Sequence, residues 1–277
     1  MRRAWSRDEL LIAFNLYCRM PFGRMHQRNP TIIAVAKHLG RTPGSVAMKL
    51  CNFASFDPSL QARGVRGLSG ASLADREVWD EFHADWTQLA LNSQQAVGRI
   101  CGREPVVAEE FPEIPQGPSE AVRSVRVRLV QSFFRQAVLA SYEGKCAICS
   151  LGLRRLLTAG HIIPWSVNRE RRADPTNGLA LCSLHERAFD TGLLAVDDSM
   201  RVMVSAATRC DRPPPVHRVA LLEIEGSRLV RPRRFAPDPT ALAWHRENVF
   251  GCGGATTCQT TVKVIGPRVL AALGGTI

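Results

Sequence analysis

The feature that most restricts how this chain can fold is a pair of short ligand-type motifs separated by about thirty residues. Cys146-Ala147-Ile148-Cys149 is a C-x2-C pair, and Cys182-Ser183-Leu184-His185 is a C-x2-H pair. A two-residue gap lets one tight turn present two ligands to a tetrahedral ion, and thiolates with an imidazole suit zinc. The metal would close a long loop, where closure costs most entropy. A glycine-bearing knuckle, Ser150-Leu151-Gly152, follows the first pair. Four buried residues without a metal would leave the same trace, since free cysteine packs as a small hydrophobe. Ligand types and spacing together favour structural Zn2+ held by Cys146, Cys149, Cys182 and His185. The nine cysteines of the chain are odd in number and scattered, which speaks against a disulfide framework.

Inside the loop lies Ala159-Gly160-His161-Ile162-Ile163-Pro164-Trp165, followed sixteen residues after the histidine by Asn177-Gly178. The apolar residues Leu156 and Leu157 place His161 on a hairpin strand. Asn177-Gly178 has the composition of a turn closing the hairpin region, and Cys182 to Phe189 reads as a helix. A hairpin and helix around a metal suit phosphodiester hydrolysis. One imidazole takes a proton from water, and a divalent ion neutralises the phosphate and the leaving oxygen. A lone histidine such as His38, His83 or His217 reads as surface or core filler. His161 differs from them through its neighbours.

With these residues in view, His161, Asn177 and His185, interleaved with the Cys pairs, resemble the HNH endonucleases of the ββα-metal fold. The wider string is similar to bacterial HNH proteins of the restriction-endonuclease type. It comprises Val130-Gln131-Ser132-Phe133-Phe134-Arg135, Tyr142-x3-Cys146, His161 to Ser166, Pro175-x-Asn177-Gly178, and Leu184-His185-x3-Phe189-Asp190-x-Gly192-Leu193. The resemblance covers about residues 120–250, including Ala243 to Phe250. It implies that His161 is the general base, and that Asn177 holds the loop and orients His161 by a side-chain hydrogen bond. It also implies that a residue of the following helix holds a catalytic Mg2+ or Mn2+. Two departures stand out. Many family members carry an acid or histidine just before the base, where this chain has Gly160. In variants with two Cys pairs the catalytic histidine of the helix falls nine residues after the asparagine, which here is Glu186. Either His185 serves zinc and Glu186 the catalytic ion, or His185 is the catalytic ligand. Adjacent helix residues point about 100° apart, so one side chain cannot do both. Asp190, one turn beyond Glu186, is a candidate second carboxylate.

Residues 1 to about 100 read as helical. Ser6-Arg7-Asp8-Glu9 is a capping-box pattern leading into Leu10, Phe14 and Tyr17. Ser72-Leu73-Ala74-Asp75 is another, leading into Trp79, Phe82, Trp86 and Leu89. Between them, Ile32 to Gly40, Arg41-Thr42-Pro43 and Gly44 to Leu50 form a helix-turn-helix signature. In such a unit Arg41, Thr42, Ser45 and Lys49 would lie near DNA; the plainer alternative is a scaffold hairpin. The formal net charge of +11 favours a polyanionic partner, of which nucleic acid is the commonest. Arg169-Glu170-Arg171-Arg172 reads as a solvated charged face before a phosphate clamp. No run reaches the roughly 18 apolar residues of a membrane helix. Met1-Arg2-Arg3 leads into no signal core, so a cytoplasmic location is expected.

The expected fold class is α+β: a helical N-terminal domain (1–102), a proline-rich linker (103–119), a zinc-stapled ββα-metal nuclease domain (120–250) and a poorly ordered tail (251–277). The expected function is metal-dependent hydrolysis of double-stranded DNA in host defence. One such site cuts one strand, so a double-strand break calls for two binding events or a homodimer. The competing expectation is a zinc-stabilised DNA-binding protein without catalysis. A redox or scaffold role for Cys146 and Cys149 would need a βαβ context that the sequence lacks.

Overall fold

The computed structural model describes residues 3–64, 70–101 and 118–251. Nearly all of the expected tail and of the expected linker fall outside these ranges. Helix α1 (Arg7–Arg19) starts at Ser6, whose hydroxyl accepts from the Glu9 amide while the Glu9 carboxylate accepts from the Ser6 amide. That reciprocal cap satisfies two amides that the helix itself leaves unpaired. Helices α2 (Pro30–Leu39) and α3 (Pro43–Ala54) each begin with proline behind a capping side chain, Asn29 and Thr42. Gly40 turns the chain between them in the left-handed region, φ +60°, which glycine enters without steric cost. A short α4 (Pro58–Gln61) leads to α5 (Leu73–Ala84), capped by Ser72 and Asp75, and then to α6 (Trp86–Cys101).

These helices close on an aromatic core. The ring of Phe14 lies 4.2 Å from Phe82, 4.8 Å from Phe53 and 5.4 Å from Trp79, all edge-on. Edge-on contact sets the positive rim of one ring against the negative face of the next.

Helix α7 (Pro118–Ser141) is shared by two cores. Leu129, Phe133 and Ala137 pack into the first core. Phe134 and Val138 join a second with Tyr142, Leu179, Leu181 and Phe189. Spacing of four keeps each row on its own stripe, and neighbouring rows lie about 100° apart. The second core is built on β1 (Leu157–His161) and β2 (Gly178–Cys182), antiparallel and in register from Leu157↔Cys182 to His161↔Gly178. Helix α8 (Ser183–Asp190) follows directly. Then come a second hairpin of β3 (Leu194–Val196) and β4 (Val202–Val204), the single turn α9 (Pro215–His217) running into a π turn (Arg218–Leu222), and α10 (Pro239–Asn248).

Asn177-Gly178 does not itself form the expected turn closing the hairpin. Asn177 ends a 3-10 turn, and Gly178 opens β2 in extended backbone. The glycine is there for space. A Cβ at 178 would come 2.5 Å from Val138 and 2.7 Å from Phe134, so a side chain would lift α7 off the hairpin.

The two cores are also pinned by Arg234, which is fully buried. Its guanidinium donates to the carbonyls of Tyr17, Cys18 and Met20 and lies 4.5 Å over the Tyr17 ring. Those carbonyls close the C-terminal end of α1, where helix carbonyls lack partners and a cation is favoured.

Candidate metal centre and active site

Cys146 and Cys149 sit on a knuckle just beyond α7. The Ser150 amide donates to the Cys146 carbonyl, and the Ala147 amide donates to Ala180 of β2 at 2.6 Å. Cys182 ends β2, and His185 lies in the first turn of α8. The four ligand atoms all fall within 4.8 Å of one another. Nδ1 of His185 is 3.5 Å from the Cys146 sulfur and 3.3 Å from that of Cys182, and the Cys149 and Cys182 sulfurs are 4.0 Å apart. A tetrahedral ion bonded at 2.0–2.3 Å gives ligand–ligand edges of roughly 3.5–3.8 Å, so the cluster matches one ion. Nε2 of His185 bonds the Ala220 carbonyl at 2.9 Å. A carbonyl only accepts, so Nε2 carries a proton, and Nδ1 is the nitrogen turned toward the sulfurs, where a metal would take its lone pair. Both nitrogens are thereby used, which leaves neither for a second ion.

The thiols respond to this crowding. Burial resists ionisation of Cys146, but the His185 ring and surrounding amides outweigh it and bring the thiol to about 6. Burial, then the neighbouring sulfurs, pushes Cys149 up to about 12. Three thiolates cannot share so small a space without a cation, and the donor set fits a metal. Among the described residues this is the group of three or more His, Cys, Asp or Glu side chains that could hold an ion.

His161 ends β1, half-buried. Its ring lies flat on Phe134, 3.7 Å between centroids and 9° between planes, with Trp165 edge-on at 5.6 Å. Nε2 bonds the Arg172 carbonyl at 3.1 Å, so Nε2 holds the proton and Nδ1 the lone pair. Burial, reinforced by the Arg172 cation, lowers its pKa below the ordinary histidine value. The side chain is a neutral base near pH 7.

The hydrogen bond expected from Asn177 to His161 is absent. Asn177 instead clamps the backbone two residues on: Oδ1 accepts from the Ile163 amide at 2.9 Å, and Nδ2 donates to the Ile163 carbonyl at 3.1 Å. Its own carbonyl accepts from the Ile162 amide. Orientation of the base passes to Phe134, Trp165 and Arg172. Residue type in the sequence carried no signal for these three, because a stack and a main-chain carbonyl depend on fold alone.

Glu186 and Asp190 lie one turn apart on α8. Glu186 packs over the hairpin: a Cβ built on Gly160 would touch its Cγ at 3.4 Å. The face that an acid before the base would occupy is therefore covered by an acid arriving from the helix. Burial, then the charge of Asp190, raises the Glu186 pKa, and desolvation by the surrounding protein raises that of Asp190. Two carboxylates held so are suited to a divalent ion, which relieves both penalties; magnesium typically takes one or two carboxylates and keeps its waters.

The expected DNA contacts on and just before α3 fare differently. Arg41 is turned inward, donating to Glu9 at 2.9 and 2.8 Å and stacking 4.1 Å over Trp5. Lys49 is buried against Asp75 at 2.7 Å. These two cations hold the helices together, because burying Glu9 and Asp75 without them would strand two charges. Thr42 caps α3 through its hydroxyl, and Ser45 is half-exposed. In the basic loop, Arg171 is a brace between Asp174 and Asp238, and Arg172 belongs to the surroundings of His161.

A hairpin and helix joined by a four-ligand cluster, with an imidazole on the hairpin and carboxylates on the helix, is the frame of a hydrolase acting on phosphodiesters. Residues 146–197 match the HNH endonuclease family. The chain therefore carries an HNH endonuclease domain running from Cys146 to just past β3, which supports a nuclease acting on DNA. Comparison with curated proteins finds no match. No helix among the described residues is long and apolar enough to cross a membrane.

Proposed function

We infer that the protein is a metal-dependent endonuclease that hydrolyses phosphodiester bonds of double-stranded DNA. The observation carrying this reading is the setting of His161, whose proton is fixed on Nε2 while Nδ1 keeps its lone pair, on a strand whose preceding residue, Gly160, lies under Glu186 of α8. His161 takes the proton from the attacking water at Nδ1. Phe134 and the Arg172 carbonyl keep the ring from turning, and Asn177 keeps the loop closed beneath it. Glu186 and Asp190 would hold a Mg2+ or Mn2+ ion. That ion, when bound, supplies charge neutralisation at the phosphate. Cys146, Cys149, Cys182 and His185 would hold a structural Zn2+. This division gives His185 to the cluster and Glu186 to catalysis. Restriction of foreign DNA follows from the resemblance of the wider motif string, and cutting both strands calls for a homodimer or successive binding.

A zinc-stabilised DNA-binding protein without catalysis is the second reading, and the absence of a ligand side chain at Gly160 favours it. Nicking of supercoiled plasmid by purified protein separates the two. Nicking that requires Mg2+ or Mn2+ and vanishes in His161→Ala supports the nuclease. Equal nicking by the variant ends that reading.

A further inference from the structure

The motif around His245 has no role in the site described so far. Helix α10 presents His245 to the C-terminal turn of α8. Its ring lies flat on Phe189, 3.7 Å between centroids and 12° between planes, and Nε2 bonds the Phe189 carbonyl at 3.1 Å. Both side chains are almost wholly buried. Nδ1 of His245 is buried without a hydrogen-bond partner.

Helix α8 is eight residues long. A helix so short does not stand by itself in water, so tertiary contacts decide where its side chains point. Its last turn carries Asp190, and Glu186 lies one turn back. Around that turn Thr191, Gly192 and Leu193 return their amides to the carbonyls of Arg187, Phe189 and Ala188. His245 adds a second donor to the Phe189 carbonyl from outside the helix. The chain after α10 is fitted just as closely: a Cβ on Gly192 would meet the Val249 carbonyl oxygen at 2.1 Å. Arg246 extends the contact by donating to the Val196 carbonyl at 2.8 Å.

The unpartnered Nδ1 is informative. A phenylalanine at 245 would fill the same space and stack on Phe189 without burying an unsatisfied acceptor, which carries a free-energy cost. What only the imidazole supplies is the N–H to Phe189. We propose that His245 is a positioning residue for the catalytic ion, acting through the Phe189 carbonyl to set the α8 turn that carries Glu186 and Asp190. The inference rests on the reading that those two carboxylates hold the ion. Partners of this second kind, which touch no metal but aim its ligands, typically change metal affinity 10–100-fold when removed. Burial holds His245 at about 4, so the ring is neutral when the nuclease works and its Nε2–H is available.

The test is Mn2+ binding to the full-length, zinc-loaded protein, followed by electron paramagnetic resonance and run beside plasmid cleavage. Glu186→Gln tests the parent reading. If its Mn2+ isotherm equals that of the wild type, the carboxylates do not hold the ion and the proposal falls with them. If it loses Mn2+ binding, His245→Phe decides. That variant keeps the stack and the fold, shown by unchanged zinc content and melting temperature. It should bind Mn2+ roughly 10-fold or more weakly, with the KM for DNA unchanged and cleavage recovered at high Mn2+. His245→Gln, which retains an amide donor, should recover part of the affinity. Wild-type Mn2+ binding by His245→Phe, with Glu186→Gln impaired, overturns the role of His245 alone.

Discussion

The two halves of the molecule treat their charged groups in opposite ways. In the helical half, buried charges are paired with each other: Glu9 with Arg3 and Arg41, Lys49 with Asp75. The cations expected to reach outward are spent on architecture. In the nuclease half the acids on α8 have no such partners at short range among the described residues. Glu186 and Asp190 sit with raised pKa values, and the thiols at the other end of the helix crowd one another. The first half compensates these charges from its own side chains. The second carries charges that bound ions would compensate, and an ill-compensated charge is where chemistry is to be sought.

Removing the cluster metal should have the largest effect. Structural zinc contributes roughly 10–16 kcal/mol in small zinc domains, comparable to the whole stability of an ordinary domain. Cys146→Ser, Cys182→Ser or prolonged chelation should therefore unfold the ββα segment while the helical far-ultraviolet signal of α1 to α6 largely persists. A metal-free protein that melts as the wild type does would erase the contrast between the halves. Next comes His161→Ala, expected to lower the cleavage rate roughly 10²–10⁴-fold while zinc content, DNA affinity and melting stay near wild type. Loss of fold in this variant would make His161 structural.

On the other side of the comparison, Lys49→Ala should destabilise by about 3–5 kcal/mol, because Asp75 is left buried and unpaired. The dependence of DNA affinity on salt should not change. A lysine touching phosphate would instead lower that slope by about one, and such a result would return Lys49 to the interface.

Acid provides a smaller effect. His245 titrates at about 4 in the folded protein and near 6.5 when unfolded. The unfolded chain thus takes up the proton first as pH falls. Above pH 6.5 the ring is neutral in both states and no stability is lost by this route; on the way to pH 4 the fold loses about 3 kcal/mol in all. Subtracting the denaturation profile of His245→Phe from that of the wild type should isolate this slope; parallel profiles would mean the histidine is solvated. Smallest is the shift in the cleavage profile. Because His161 lies below its ordinary value, the rising limb of activity should be centred below pH 6.5. A limb centred above 6.5 would mean that a charged imidazole is favoured in the site.

What could be read from the amino acids alone was whatever repeats a local rule. Ser6 with Glu9 and Ser72 with Asp75 declare their helices, because a cap needs residues only three apart. The Cys146 to His185 set declares itself through ligand type and gap. What could not be read depends on contacts between distant segments. Nothing in Arg41 or Lys49 distinguishes a phosphate contact from a buried ion pair; the answer lies in Glu9 and Asp75, over twenty residues away in each case. Nor does Phe134 announce that it will lie on His161. Nor does any local pattern announce that alternate rows of α7 belong to different cores. A truncation after residue 100 would bare Leu129 and Phe133 of that helix.

Arg234 gives this entanglement an order in time. The carbonyls it closes belong to Tyr17, Cys18 and Met20, near the start of the chain, and the guanidinium arrives more than two hundred residues later. At synthesis rates of roughly 5–20 residues per second, the end of α1 emerges and then waits on the order of 10–40 seconds for its cap. The helices at the N-terminus can gather early around Phe14, but the last of their hydrogen bonds form only once the nuclease half has been made.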